Sequence, residues 1–138
     1  MISFFDSSAF AKRFIEESGS NEVEKICVDS ESIAVSSICF PEIISALNRR
    51  LREGSISKKD YFLIKERLIE EFEYIDIINV VPEVIAKSII LLEKNSLRTL
   101  DAIHIASALI LKSDLFVSAD KRQITIAKKS GLKVKLIG

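Results

Sequence analysis

Short apolar runs suited to β-strands alternate with stretches of helical periodicity along the whole of this 138-residue chain, and no tight hairpin signal joins one run to the next. A strand at about 2–5 is followed by a helix from 7 to about 17, with Phe10 and Phe14 one turn apart, and by a further helix across about 20–29. A short strand at 33–36 precedes a helix that can hold Pro41 only near its start, and in which Ile43, Ile44, Leu47 and Leu51 recur at helical spacing until Gly54. Ser57 opens another helix with Tyr61, Ile64, Leu68 and Phe72 on one stripe, and the β-branched run 75–81 reads as a strand that Pro82 ends. Helix to about 95, a helix apolar nearly all round from 99 to 111, a strand at 115–117, a helix at about 121–130 and a strand at 133–137 complete the chain. Parallel strands require crossovers, and helices supply them. The expected fold is therefore α/β, a three-layer α/β/α domain with a mostly parallel central sheet of four to five strands. The length, with 48% hydrophobic residues, suits one domain across 1–138 and is too little for two.

Lysine plus arginine and aspartate plus glutamate balance at 20 each, so net charge points neither to a strongly nucleic-acid-binding protein nor to a membrane-surface one. The bases are clustered all the same. Arg49, Arg50, Arg52, Lys58 and Lys59 stand against Glu53 alone, and residues 111–138 are again predominantly basic. Such runs either meet phosphates or solvate ordinary helix faces. Cys27 and Cys39 have no second pair and no histidine at zinc spacing, so neither a disulfide framework nor a structural zinc is expected, and a reducing cytoplasm fits. The start, Met1 to Asp6, lacks a basic region before its apolar run, unlike a signal peptide. The apolar stretch 102–111, interrupted by His104, is about half a transmembrane span.

Four acids, Asp6, Glu42, Asp101 and Asp120, each fall where a strand-like run gives way to a helix or within a helix's first turns. In open parallel sheets ligands gather beyond the carboxyl ends of the strands, where strand order reverses. Helix capping, worth about 1 kcal/mol, explains Asp6, Asp101 and Asp120 one at a time. Glu42 is a poor cap, and Asp101 opens an apolar helix that implies burial. Like charges about 5 Å apart at an effective dielectric of about 20 cost roughly 3 kcal/mol per pair. Converging carboxylates must then bind a cation or take up protons, and all-oxygen donors select Mg²⁺ or Mn²⁺.

Asp6-Ser7-Ser8-Ala9-Phe10, Pro41-Glu42 running into Ala46-Leu47-Asn48-Arg49-Arg50, Leu100-Asp101-Ala102-Ile103-His104-Ile105-Ala106 and Val117-Ser118-Ala119-Asp120 resemble, in order and spacing, the PIN-domain family and within it the VapC-like toxin ribonucleases of type II toxin–antitoxin pairs. The resemblance spans essentially the whole chain. It implies a divalent-metal-dependent endoribonuclease, a homodimer, held inactive by a small antitoxin, with products ending in 5′-phosphate and 3′-hydroxyl. It further implies that Asp6, Asp101 and Asp120 hold Mg²⁺ or Mn²⁺ and that Glu42 completes the catalytic set. Ser7 and Ser118 match positions whose hydroxyls orient a carboxylate or water. Arg49, Arg50, Lys121 and Arg122 flank the acids and are candidates for RNA-backbone contacts.

The alternatives are a structure-specific DNA nuclease, since the same metal chemistry cleaves both polymers, and a catalytically silent domain of this fold that binds RNA or protein. His104, one turn after Asp101, is read as a hydrogen-bonded core residue rather than a metal ligand. With glycine only at 19, 54, 131 and 138, the chain has no phosphate-cradling loop, dinucleotide fingerprint or nucleophile elbow. A dehalogenase-like phosphotransferase wants Asp where this chain has Ser8, and a receiver domain wants a second acid beside its first-strand Asp. The aromatic residues recur at helical spacing and read as core rather than as stacking platforms.

Overall fold

The computed structural model describes residues 1–138. The elements run β1 (Ile2–Phe5), α1 (Ser7–Phe10), a 3-10 turn (Ala11–Arg13), α2 (Ser20–Asp29), β2 (Ser32–Ser36), α3 (Cys39–Arg52), α4 (Lys58–Phe72), β3 (Asp76–Ile78), α5 (Pro82–Lys94), α6 (Thr99–Leu111), β4 (Leu115–Ser118), α7 (Lys121–Lys129) and β5 (Val134–Leu136). All five strands are parallel and lie in the order β3-β2-β1-β4-β5. The chain builds outward from β1 in one direction and then in the other, so the order reverses between β1 and β4.

Alternation along the strands sorts the core into two halves. Phe4, Ala34 and Phe116 belong to a cluster with Val84 and Leu91 of α5, seven-residue-deep α6 burial from Ala102 to Ala108, and Ile126 of α7. Their neighbours Phe5, Val35 and Val117 point the other way, into a cluster with Phe10, Phe14, Val23, Ile43, Leu47 and Leu68. Strands buried on both faces lose the polar–apolar alternation of a half-exposed sheet. Helices α5–α7 therefore cover one face and α1–α4 the other, which makes the expected α/β/α layering.

Two expected elements are shorter than anticipated. The helix expected to reach about residue 17 ends at Phe10, passes through the 3-10 turn and leaves helical geometry beyond it. Phe14 remains buried, so its spacing from Phe10 reports real packing, while Ser20 Oγ accepts from the Glu17 amide and folds 14–19 into a loop ahead of α2. The run 75–81 pairs only over Asp76–Ile78, opposite Ala34–Ser36. Beyond Ser37, whose amide donates to the Ile78 carbonyl at 3.0 Å, the chain leaves the sheet for α3, and the 75–81 run turns to place Pro82 at the first residue of α5, where a missing amide hydrogen costs nothing.

Candidate active site at the switch point

Asp6 directly follows β1, and Asp120 lies two residues beyond the end of β4, so the reversal of strand order brings both to one edge. Asp6 is buried and caps α1, its Oδ1 accepting from the Ala9 amide at 2.9 Å. Ser8 Oγ donates to its Oδ1 and Oδ2 at 2.8 and 2.9 Å, and Ser118 Oγ donates to Oδ2 at 2.6 Å. Burial pushes the Asp6 carboxyl above its ordinary 3.8, against the charge of His104 and the bonds from Ser118, Ala9 and Ser8, which pull it down. Ser118 links the two strand ends: while donating to Asp6 it accepts from the Asp120 amide at 3.0 Å. Asp120 in turn caps α7 through the Arg122 and Gln123 amides.

The third and fourth elements join through Ser7. Its hydroxyl donates to Glu42 Oε1 at 2.6 Å, and His104 Nε2 lies 2.5 Å from the same oxygen and 3.2 Å from Ser7 Oγ. Glu42 reaches this point because Pro41 and Glu42 occupy the first turn of α3. Burial alone raises the Glu42 carboxyl, but the hydrogen bonds from His104 and Ser7, with the charges of His104 and Arg98, hold it below its usual 4.5. His104 is 1% exposed and matches its reading as a hydrogen-bonded core residue; the partner is itself a candidate site acid.

Asp101 sits one turn before His104 in the first turn of α6, is partly buried rather than enclosed, and has Arg98 Nε 3.6 Å from its Oδ2. It caps nothing, unlike Asp6 and Asp120. No three of the His, Cys, Asp and Glu side chains stand together in metal-ligating geometry. Cys39 is buried beside Ser7 and its thiol is pushed far up by burial; Cys27, buried near Arg13, is likewise pushed up by burial, to about 11, and both are free thiols.

Among the flanking bases, Arg50 is partly engaged by Glu17 Oε2 at 3.1 Å. Arg49 lines an open cleft of about 470 Å³ with Glu42, Ile38 and Leu100, while Lys121 and Arg122 are exposed at the start of α7. Phe4, Phe5, Phe10, Phe14 and Phe116 are buried, as expected of core aromatics, whereas Phe62 and Tyr74 are 59% and 80% exposed and stand outside the core. The side chains missed by sequence reading are Ser8, which donates to both Asp6 oxygens, and Arg98, near two acids. A hydroxyl two residues after a strand-ending Asp is the signal that could have pointed to Ser8.

A parallel α/β domain with carboxylates and hydroxyls gathered where its strand order reverses is thus the class of protein the fold and site define. The PIN domain family model matches residues 3–129, and the chain belongs to that family. Solved structures with the same fold include a toxin–antitoxin complex from Klebsiella pneumoniae, at 16% identity and TM-score 0.69 over 88% of this chain and 89% of that one. VapBC2 from Rickettsia felis, bound to a promoter DNA fragment, aligns at 14% identity and TM-score 0.71 over the whole of both chains. VapC20 from Mycobacterium tuberculosis, described as a sarcin-ricin loop cleaving toxin, aligns at 13% and 0.69 over 94% and 95%. No curated protein matches significantly, and no helix is long and apolar enough to cross a membrane.

Proposed function

We propose that this chain is a Mg²⁺- or Mn²⁺-dependent endoribonuclease and the toxin of a toxin–antitoxin pair, acting as a homodimer. The observation that carries the chemistry is Asp6, a buried carboxylate at the switch point, held by three donors and joined through Ser118 to Asp120. A hard cation suits this donor set, which is all oxygen, and Asp6 is paired with no lysine or arginine that would already balance its charge. Mg²⁺ is commonly held by one or two carboxylates, with waters and substrate phosphates completing its shell, so three preformed ligands are not required. The toxin role rests on family membership together with the likeness to a toxin–antitoxin complex and to a toxin described as cleaving the sarcin-ricin loop.

Asp6, Asp101 and Asp120 would hold the ion, directly or through water. When bound, it supplies a nucleophile near neutral pH and neutralises phosphate oxygens. Ser8 and Ser118 fix both Asp6 oxygens so that no reorganisation is needed at the moment of reaction. Glu42, held ionised, accepts a hydrogen bond from the attacking water. Arg49, Lys121 and Arg122 contact the RNA backbone and make affinity fall with salt. The antitoxin lays an amphipathic or extended segment along the toxin. The test offers matched single-stranded RNA and DNA oligonucleotides with Mg²⁺, Mn²⁺ or chelator. RNA cut only with metal is the expected result; DNA cut in preference, or cleavage that survives chelator, contradicts the reading.

A further inference from the structure

We propose that His104 is a positioning residue for the reaction: with Ser7 it pins Glu42 Oε1 and leaves Oε2 as the single oxygen that Glu42 presents to the attacking water. This rests on the nuclease reading above for its catalytic consequence, though not for the contact itself.

Three elements converge on one atom. Ser7 from α1 and His104 from α6 both reach Oε1 of Glu42 at the start of α3, at 2.6 and 2.5 Å. Ser7 has one hydroxyl hydrogen, and it is directed at Glu42. A carboxylate oxygen only accepts, so the hydrogen in the second contact must sit on His104 Nε2. The other ring nitrogen, Nδ1, is buried without a partner, and a hydrogen there would be stranded. Neutral or charged, the ring therefore carries a hydrogen on Nε2 and donates it to Glu42. Oε2 has no partner among the hydrogen bonds of the structure, and the Glu42 side chain is 27% exposed, so a free oxygen on an anchored carboxylate faces the open side. His104 is 1% exposed and cannot itself meet RNA. An imidazole that orients a carboxylate from behind acts by restricting rotamers, and losing such a contact typically costs about 10- to 100-fold in activity.

The chain has one histidine, which makes its ring signals unambiguous by NMR. Two measurements decide the proposal. In RNA cleavage at saturating Mg²⁺, His104→Leu should lower kcat about 10- to 100-fold with KM within about twofold, and His104→Gln, whose amide can still donate, should recover most of the loss. In a Glu42→Gln background, His104→Leu should cost less than about twofold more, because the residue acts only through Glu42. An unchanged kcat in His104→Leu, or an equal loss in both backgrounds, overturns the proposal. In ¹⁵N NMR the ring hydrogen should reside on Nε2 and its signal should shift in Glu42→Ala. A hydrogen on Nδ1 with none on Nε2, or a signal that ignores Glu42, also overturns it. If the unmutated protein cuts no RNA, the nuclease reading fails, while the NMR result still supports or overturns the clamp.

Discussion

Asp6 and Glu42 have opposite electrostatic environments and should give stability opposite pH dependences. Burial raises the Asp6 carboxyl, so the folded protein holds that proton more tightly than the unfolded chain. In chelator its contribution is full below the unfolded value of 3.8 and is lost as pH rises through the folded one. Asp6→Asn cannot ionise, and its Tm should gain on that of the parent as pH rises from about 4 to about 7. Glu42 is held low despite its burial, so its contribution is present above 4.5 and lost as pH falls through the folded value; Glu42→Gln should forfeit it. In activity, Asp6→Asn should lose about 100-fold or more, the scale of one electrostatic group aimed at a transition state. Ser118→Ala removes the 2.6 Å bond to Asp6 and the acceptor for the Asp120 amide, and should cost about 10- to 100-fold in cleavage with the fold intact by circular dichroism. The four acids stand out in the sequence because each falls where a strand-like run gives way to a helix or within a helix's first turns. Their hydroxyl and imidazole partners were only partly legible there: His104 meets Glu42 of α3, distant in the chain, and Ser8, besides donating to nearby Asp6, accepts from the Ala119 amide just beyond β4.

The elements themselves were read well where periodicity is long. Helices α3, α4 and α6 keep their stripes; α3 starts at Cys39, two residues before Pro41, α4 starts directly after its Ser57 cap, and α6 starts at Thr99. Errors fall where tertiary pairing sets the limit: β3 stops because β2 stops, and α1 gives way because the loop 14–19 must lead into α2. Gly19 shows why that loop is constrained. Its φ is +90°, and a Cβ there would meet Ile137 Cγ2 at 2.4 Å and the Gly138 amide nitrogen at 3.0 Å. Gly19→Ala should therefore destabilise by more than about 1 kcal/mol, read as a fall in Tm, and a neutral result would mean that the α2 start and the chain end are less tightly joined than described. Ser57→Ala removes the cap on the Asp60 amide of α4 and should cost about 1 kcal/mol.

For the molecule as a whole, the parallel order β3-β2-β1-β4-β5 is what brings Asp6 and Asp120, far apart in the sequence, to one edge, where Ser7 joins Glu42 to them. Strand–helix alternation disclosed the parallel sheet; strand order could not be read from it, because burial on both faces makes β1, β2 and β4 look alike in sequence. If the edge binds a divalent cation, Mg²⁺ or Mn²⁺ should raise the Tm of the parent but not of Asp6→Asn, by the equivalent of about 2.7 kcal/mol at a hundredfold excess over Kd. The most direct measurement incubates the purified chain, free of partners, with total cellular RNA and Mg²⁺ or Mn²⁺, and maps new 5′-phosphate ends against an Asp101→Asn control. New ends made by the parent and absent from the control are predicted. Identical end maps from the two proteins, with metal binding to the parent established, would contradict the assignment of this site as a metal-dependent ribonuclease centre.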